Sequence, residues 1–87
     1  MPVDERISAF LEAHKTDALY PTRNFFDWHG RLTGSCAMGR ESFMRDREID
    51  MNGTMTVAEF IRLAEPGNVY GSDVVQKLKE RYKGLSQ

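Results

Sequence analysis

The stretch from Met55 to Ala64, MTVAEFIRLA, constrains the fold of this chain more than any other. Thr56 lies three residues before Glu59, so its hydroxyl can accept from the Glu59 amide while the Glu59 carboxylate reaches back to the Thr56 amide. That is a capping box, and it starts a helix. Met55 before the cap and Phe60 at the fourth helical position are spaced to close a hydrophobic staple across the start. Val57, Phe60, Ile61 and Ala64 then recur at i, i+3, i+4 and i+7, which gathers them into one apolar stripe. Such a stripe needs other apolar faces to pack against.

Four further segments have helical spacing. Asp4 is placed to cap a helix running to about His14, with Ile7, Phe10 and Leu11 on one face. From Lys15 to Thr22 the chain should be irregular, punctuated by Asp17 and Pro21, with Leu19 and Tyr20 pinning it to the core. Thr22 is the next cap, and Phe25, Trp28, His29 and Leu32 share a face with Phe26 beside them. This aromatic cluster reads as a core built around Trp28; exposed, it would be a partner-binding patch. Gly30 and Gly34 bracket RLTG, where that helix should end in a tight turn. Ser35 is expected to cap a third helix, CAMGRESFMRDRE, with Cys36, Gly39, Phe43 and Met44 on one side, and Gly39 hints at the close approach of another backbone. Glu65-Pro66-Gly67-Asn68 is a stop, and Val69-Tyr70-Gly71 leads on to a last helix. Ser72 caps it, Val74, Val75, Leu78 and Tyr82 turn inward, and Gly84 ends it. The expected fold is all-α: a compact orthogonal bundle of about five short helices forming a single domain over residues 1–87. Its expected core is Phe10, Leu11, Phe25, Trp28, Phe43, Phe60, Ile61, Leu78 and Tyr82.

Eighty-seven residues permit one modest core. Hydrophobic content of 40% and nine aromatic residues suffice for folding without a metal or disulfide, so no cofactor is expected. Cys36 is the only cysteine, which excludes an intramolecular disulfide. The start, MPVDERISAF, lacks a basic segment followed by an apolar run, and no stretch approaches the roughly 18 apolar residues of a membrane span. A cytoplasmic location without a membrane partner is the expectation. Net charge is −1 but alternates along the chain: −2 over residues 1–21, +2 over 22–47, −4 over 48–75 and +3 over 76–87. Blocks of this kind suit internal pairing or a two-faced surface better than a uniformly basic nucleic-acid binder.

Chemistry-bearing patterns are sparse. His29 and Cys36 could meet as base and nucleophile, but no carboxylate or carboxamide is spaced to orient them, and Cys36 reads as a small buried hydrophobe. Two histidines and one cysteine make no zinc pattern, and no glycine-rich phosphate loop occurs. The chain is therefore expected to be no enzyme. It reads as a small non-catalytic interaction or regulatory module, monomeric or homodimeric. It would bind a macromolecule, a protein before all others, through Arg23, Arg31, Arg40, Arg45 and Arg47. A helix-turn-helix over residues 22–47 is the nucleic-acid alternative, with those arginines on phosphates and base edges. With Gly34 in the turn, however, charged Arg40 falls where the second helix should bury an apolar residue. The plainest role for the arginines is a solvated face pairing with the acidic block at 48–75.

The residues ahead of the capping box also resemble one EF-hand calcium loop. With Gly53 at the sixth position, Asp50, Asn52, Thr54 through its carbonyl, Thr56 and Glu59 fall at positions 3, 5, 7, 9 and 12. Glu48 stands at the first, where the family has aspartate. The resemblance implies calcium bound by Glu48, Asp50, Asn52, Thr54, Thr56 and Glu59, in a loop for which the sequence shows no second copy. A capping box and an Asn52-Gly53 turn with positive φ would account for the same residues without an ion.

Overall fold

The computed structural model describes residues 2–14, 18–64 and 72–85. Among these residues the chain forms five helices, α1 (Val3–Ala13), α2 (Thr22–Thr33), α3 (Ala37–Asp46), α4 (Val57–Ala64) and α5 (Ser72–Leu85). One tiny antiparallel sheet joins β1 (Tyr20–Pro21) to β2 (Thr54–Met55). The mostly-α bundle expected from the sequence is what forms. No helix of the described residues is long and apolar enough to cross a membrane.

Helix α4 starts as its sequence requires. The Glu59 amide donates to Thr56 Oγ1 at 3.2 Å, and Val57, Phe60, Ile61 and Ala64 are all buried. Only half of the capping box closes, because the Glu59 carboxylate pairs with Arg62 one turn further on. Phe60 lies face to face with Phe25 of α2, ring centroids 4.8 Å apart and planes 17° from parallel. Phe10 of α1 completes the group at 5.7 Å from Phe60 and 6.1 Å from Phe25. Three helices from distant parts of the sequence thus meet at one aromatic junction. Burying each such ring contributes about 1.5–3 kcal/mol. Ile7, Leu32, Val57 and Ile61 surround the junction, and α5 closes it with Val74, Val75 and Leu78.

Trp28 is not the centre of this core. It is half-buried, meets Phe10 edge-on at 5.4 Å, and carries the Arg31 guanidinium on its ring at 4.3 Å. It seals the rim between α1 and α2. Leu11 and Tyr82 are likewise partly buried against the core, whereas Phe43 is half-buried outside it.

The segment before α2, expected to be irregular, contributes a strand. Tyr20 pairs with Met55 and Pro21 with Thr54. Pro21 has no amide for the ladder, and the next amide, that of Thr22, donates to Gly53 O at 2.9 Å. Thr22 is therefore a buried first helical residue, and Pro21 occupies the cap. His14 ends α1 beneath this strand, donating through Nδ1 to Phe10 O at 2.7 Å and stacked on the Phe10 ring at 4.4 Å. Asp4 sits in the first turn of α1 behind a Pro2 cap, so it serves the helix dipole and not the cap.

The two glycines of α2 separate in role. Gly34 ends the helix with φ +78°, its amide donating to Gly30 O at 2.8 Å. Gly30 lies inside the helix, where a methyl group would overlap the Arg40 guanidinium. It is a seat for Arg40. Cys36, not Ser35, caps α3, its Sγ accepting from the Gly39 amide at 3.4 Å; the thiol is exposed instead of buried. A side chain at Gly39 would meet only that sulfur, so no second backbone approaches there. Helix α5 starts at Ser72 and continues through Gly84. The stop over residues 65–68 and the lead-in at 69–71 lie outside the described residues.

Replacing Phe60 by alanine should cost about 3–5 kcal/mol in urea unfolding, against about 1 kcal/mol for Thr56→Ala. Similar costs for the two would remove the aromatic junction from its place in the fold.

Candidate functional site: the groove beneath α3

Helix α3 is the exception in this bundle, because none of its residues is buried. Its sequence explains why. The side expected to pack consists of Cys36, Gly39, Phe43 and Met44, and a cysteine and a glycine give too thin a stripe to fill a helix interface. Phe43 and Met44 are only half-buried, and Met38 is 77% exposed. Between α2, α3 and α4 opens a groove of about 770 Å³ with a floor of Phe25, Phe43, Phe60, Met55 and Leu63.

His29 lines this groove with a 9% exposed ring, about 6.2 Å from Phe43 and 6.4 Å from Phe60. Its Nδ1 lies 2.8 Å from Ser35 Oγ and 3.3 Å from Thr33 Oγ1. Thr33 has already given its one hydroxyl proton to the His29 carbonyl at 2.7 Å, and it accepts from the Ser35 amide at 3.2 Å. Toward Nδ1, Thr33 can therefore only accept, whereas the Ser35 hydroxyl can either donate to Nδ1 or accept from it. Nε2 is screened from solvent and has no hydrogen-bond partner among the described residues. Burial, and secondarily the positive charge of Arg40, lower the His29 pKa below its ordinary value of 6.5. The ring is neutral at pH 7.

The five arginines singled out by sequence are not equivalent. Arg40 folds inward across Gly30: its Nη1 donates to the Ser35 carbonyl and lies 3.4 Å from Ser35 Oγ, its guanidinium lies over the Phe26 ring at 4.6 Å, and its Nε has no partner among the described residues. Arg47 is spread over Phe43 at 3.9 Å, and Arg31 covers Trp28. Arg23 and Arg45 are exposed around a shallower depression beside the groove, with Asp27 and Glu41. None of the five forms an ion pair with a carboxylate of the described residues. Among the described residues, pairing with the acidic block at 48–75 does not hold them. The α2–turn–α3 unit has the connectivity of a helix-turn-helix, and the side chain lying across Gly30 at its interface is Arg40.

The loop ahead of α4 holds its shape through its own polar groups. Asp50 Oδ1 accepts from the Asn52 amide at 2.9 Å, and the Asp50 carbonyl accepts from Gly53 at 3.1 Å. The left-handed residue is Glu48, at φ +54°, and Gly53 has no positive φ. Thr54 is drawn into β2, Thr56 caps α4, and the Glu59 carboxylate is turned to Arg62. Among the described residues no three His, Cys, Asp or Glu side chains converge as a metal would require. Glu48, Asp50 and Glu59 do not fit a calcium ion in this arrangement, which lacks the sharp glycine turn of that family. The loop does have a partner where the sequence showed none, since β1 pairs with it. That partner's described residues, His14 and 18–21, offer no carboxylate.

Sequence reasoning located the arginines and His29 but not the groove that collects them. The available signal was the thin packing side of α3. Compared with known proteins, the chain matches no family model, no curated protein and no solved structure.

Two outcomes follow from this geometry. A His pKa lowered in the folded state means that the unfolded chain binds more protons between the folded pKa and about 6.5. Stability is then highest above pH 6.5 and falls as pH drops through that window. Thermal unfolding of wild type and His29→Gln across pH 8 to 5 checks it: the variant should lose the part of the slope that His29 supplies, and identical slopes would refute it. For the loop, the melting temperature should be unchanged between millimolar calcium and a chelator, whereas a rise of several degrees with calcium would show that the carboxylates rearrange around the ion.

Proposed function

We propose that this protein is a non-catalytic interaction module that holds an amphipathic helical segment of a protein partner in the groove between α2, α3 and α4. The observation that carries this reading is a whole helix, α3, that contributes nothing to the buried core yet walls an apolar groove. A helix that buries no side chain of its own leaves the apolar surface beneath it available to another chain. Contiguous exposed apolar surface on a small domain marks an interaction site.

The lining suits a helix-in-groove mode, in which apolar anchors at i, i+3 or i+4, and i+7 enter a hydrophobic channel. Aromatic rings give area and rigidity, and Met44 and Met55 can repack around anchors of different shape. Arg40 and Arg47 border the groove against one acid, Asp46. Because Arg47 has no carboxylate partner among the described residues, an acidic flank on the incoming helix supplies one. The resulting pair fixes orientation and association rate more than affinity.

A synthetic helical peptide of about 14 residues, about 21 Å long, with leucine and tryptophan on one face tests this reading. One version carries glutamate on its flanks and the other lysine. The acidic version should bind about tenfold more tightly, with Phe43→Glu abolishing binding and leaving the melting temperature within a few degrees, because Phe43 lies outside the core. Equal binding of both peptides, or binding that survives Phe43→Glu, would contradict the proposal.

A further inference from the structure

Two side chains that line the groove each carry a nitrogen screened from solvent and without a partner among the described residues: Nε2 of His29 and Nε of Arg40. They belong to one chain of contacts. Arg40 Nη1 donates to the Ser35 carbonyl and lies 3.4 Å from Ser35 Oγ, which in turn lies 2.8 Å from His29 Nδ1. Ser35 thus links the two side chains where α2 turns into α3. Arg40 Nε is a fixed donor, because a guanidinium never accepts. Nε2 of the nine-tenths buried imidazole is not fixed: it donates when the Ser35 hydroxyl donates to Nδ1, and accepts when Nδ1 carries the proton. Leaving buried groups of this kind unmet is costly, and native structures hold few of them. Charge is unmet as well. The half-buried Arg40 guanidinium lies over Phe26 and forms no ion pair among the described residues, and Asp46 is the one acid among those that line the groove.

We infer that this end of the groove is a carboxylate-binding site, in which Arg40 Nε and His29 Nε2 both donate to a glutamate side chain of the partner helix. The inference rests on the groove reading above and adds an anchor inside the groove to the acidic flank that meets Arg47 at its rim. A carboxylate only accepts, has room for several donors on its two oxygens, and supplies the charge that the guanidinium lacks. A neutral amide would meet the donors and leave the charge uncompensated. The docked carboxylate selects the arrangement in which Ser35 accepts from Arg40 Nη1 and donates to Nδ1, so that Nε2 carries the proton; neither tautomer is required beforehand. Cys36 and Gly39 bring the first turn of α3, the positive end of its dipole, to the same end of the groove. Glutamate brings its carboxylate on a two-methylene stem that can run along the apolar walls, and it is at home in a helix. Reaching the two nitrogens takes an outward shift of the Arg40 side chain or of α3, and α3 buries none of its residues.

The test uses the full chain and two small probes of nearly the same shape, hydrocinnamate and its neutral amide, followed by NMR. Both should shift the amides of Phe43 and Phe60, and the carboxylate should bind about tenfold more tightly. In wild type, which needs no variant to fold, the carboxylate alone should move the Arg40 Nε–H resonance, and in that complex His29 Nε2 should carry the proton. Arg40→Lys keeps the charge but has no Nε–H, so the preference should vanish, whereas Arg47→Gln at the rim should keep it. To identify the source of the carboxylate, residues on the apolar face of the acidic-flanked helical peptide are replaced in turn by glutamate or glutamine. At one position glutamate should outbind glutamine about tenfold in wild type and lose that advantage in Arg40→Lys. Equal binding of the two small probes, an unmoved Arg40 signal, a bare Nε2 in the complex, or a preference that survives Arg40→Lys or is lost in Arg47→Gln would overturn the site while leaving the groove as a docking surface. A preference for the small carboxylate without any for glutamate in the peptide would overturn the partner-helix anchor and make the ligand a free apolar acid. If neither small probe binds and the acidic-flanked peptide binds with no gain from glutamate, the inference fails alone. If the peptide fails to bind as well, the groove reading falls with it.

Discussion

The stacked contact between Phe25 and Phe60 is the interaction on which the rest of this small fold depends. It joins the second helix to the fourth across 35 residues of sequence, and Phe10 ties the first helix to the same point. Each ring sits one helical turn or less from a segment that must be positioned: Phe10 from the His14 turn, Phe25 from β1, and Phe60 from the Thr56 cap. Fixing three rings therefore brings two connecting segments side by side, close enough for a ladder of two residue pairs. A sheet this short could not hold itself together; the helices on either side make it possible.

With α1, α2, α4 and α5 packed into that core, α3 stays outside it and buries none of its residues. It is tied back to α2 by polar means. Gly34 turns the chain, Gly30 leaves room, and Arg40 reaches across to the Ser35 carbonyl. The same bonds hold Ser35 beside His29 Nδ1, while Nε2 has no partner among the described residues. The stability of the bundle and the chemistry of the groove thus meet in the α2–α3 turn.

Much of this was legible in the sequence, and what was missed has physical causes. The α4 stripe and its Thr56 cap were readable because cap, period and burial all agree over a few residues. Trp28 reads as the centre of the aromatic cluster because it shares the helical face of Phe25, His29 and Leu32, yet the rings that meet in the buried core are Phe10, Phe25 and Phe60, with Trp28 half-buried against them. Gly30 looked like a helix end, since nothing local reveals that an arginine ten residues later will lie across it. The strand at Tyr20–Pro21 was invisible because its pairing is set by tertiary contacts and not by propensity. Asn52-Gly53 suggested a left-handed turn, but the Asp50 side chain and carbonyl close the loop, and Glu48 takes the positive φ. The arginines were found as a set, and their division into inward, stacked and exposed members depends on the groove.

The central claim is that α3 is a wall of a binding groove and not a member of the core. Native-state hydrogen exchange resolved by residue tests it most directly, because amides in a helix that buries nothing open without global unfolding. The account predicts that α2 and α4 amides exchange only through global unfolding while α3 amides exchange through a local opening of much lower free energy. Protection of α3 equal to that of α2 and α4 would contradict it, since the helix would then be held by the core and the groove beneath it would be closed.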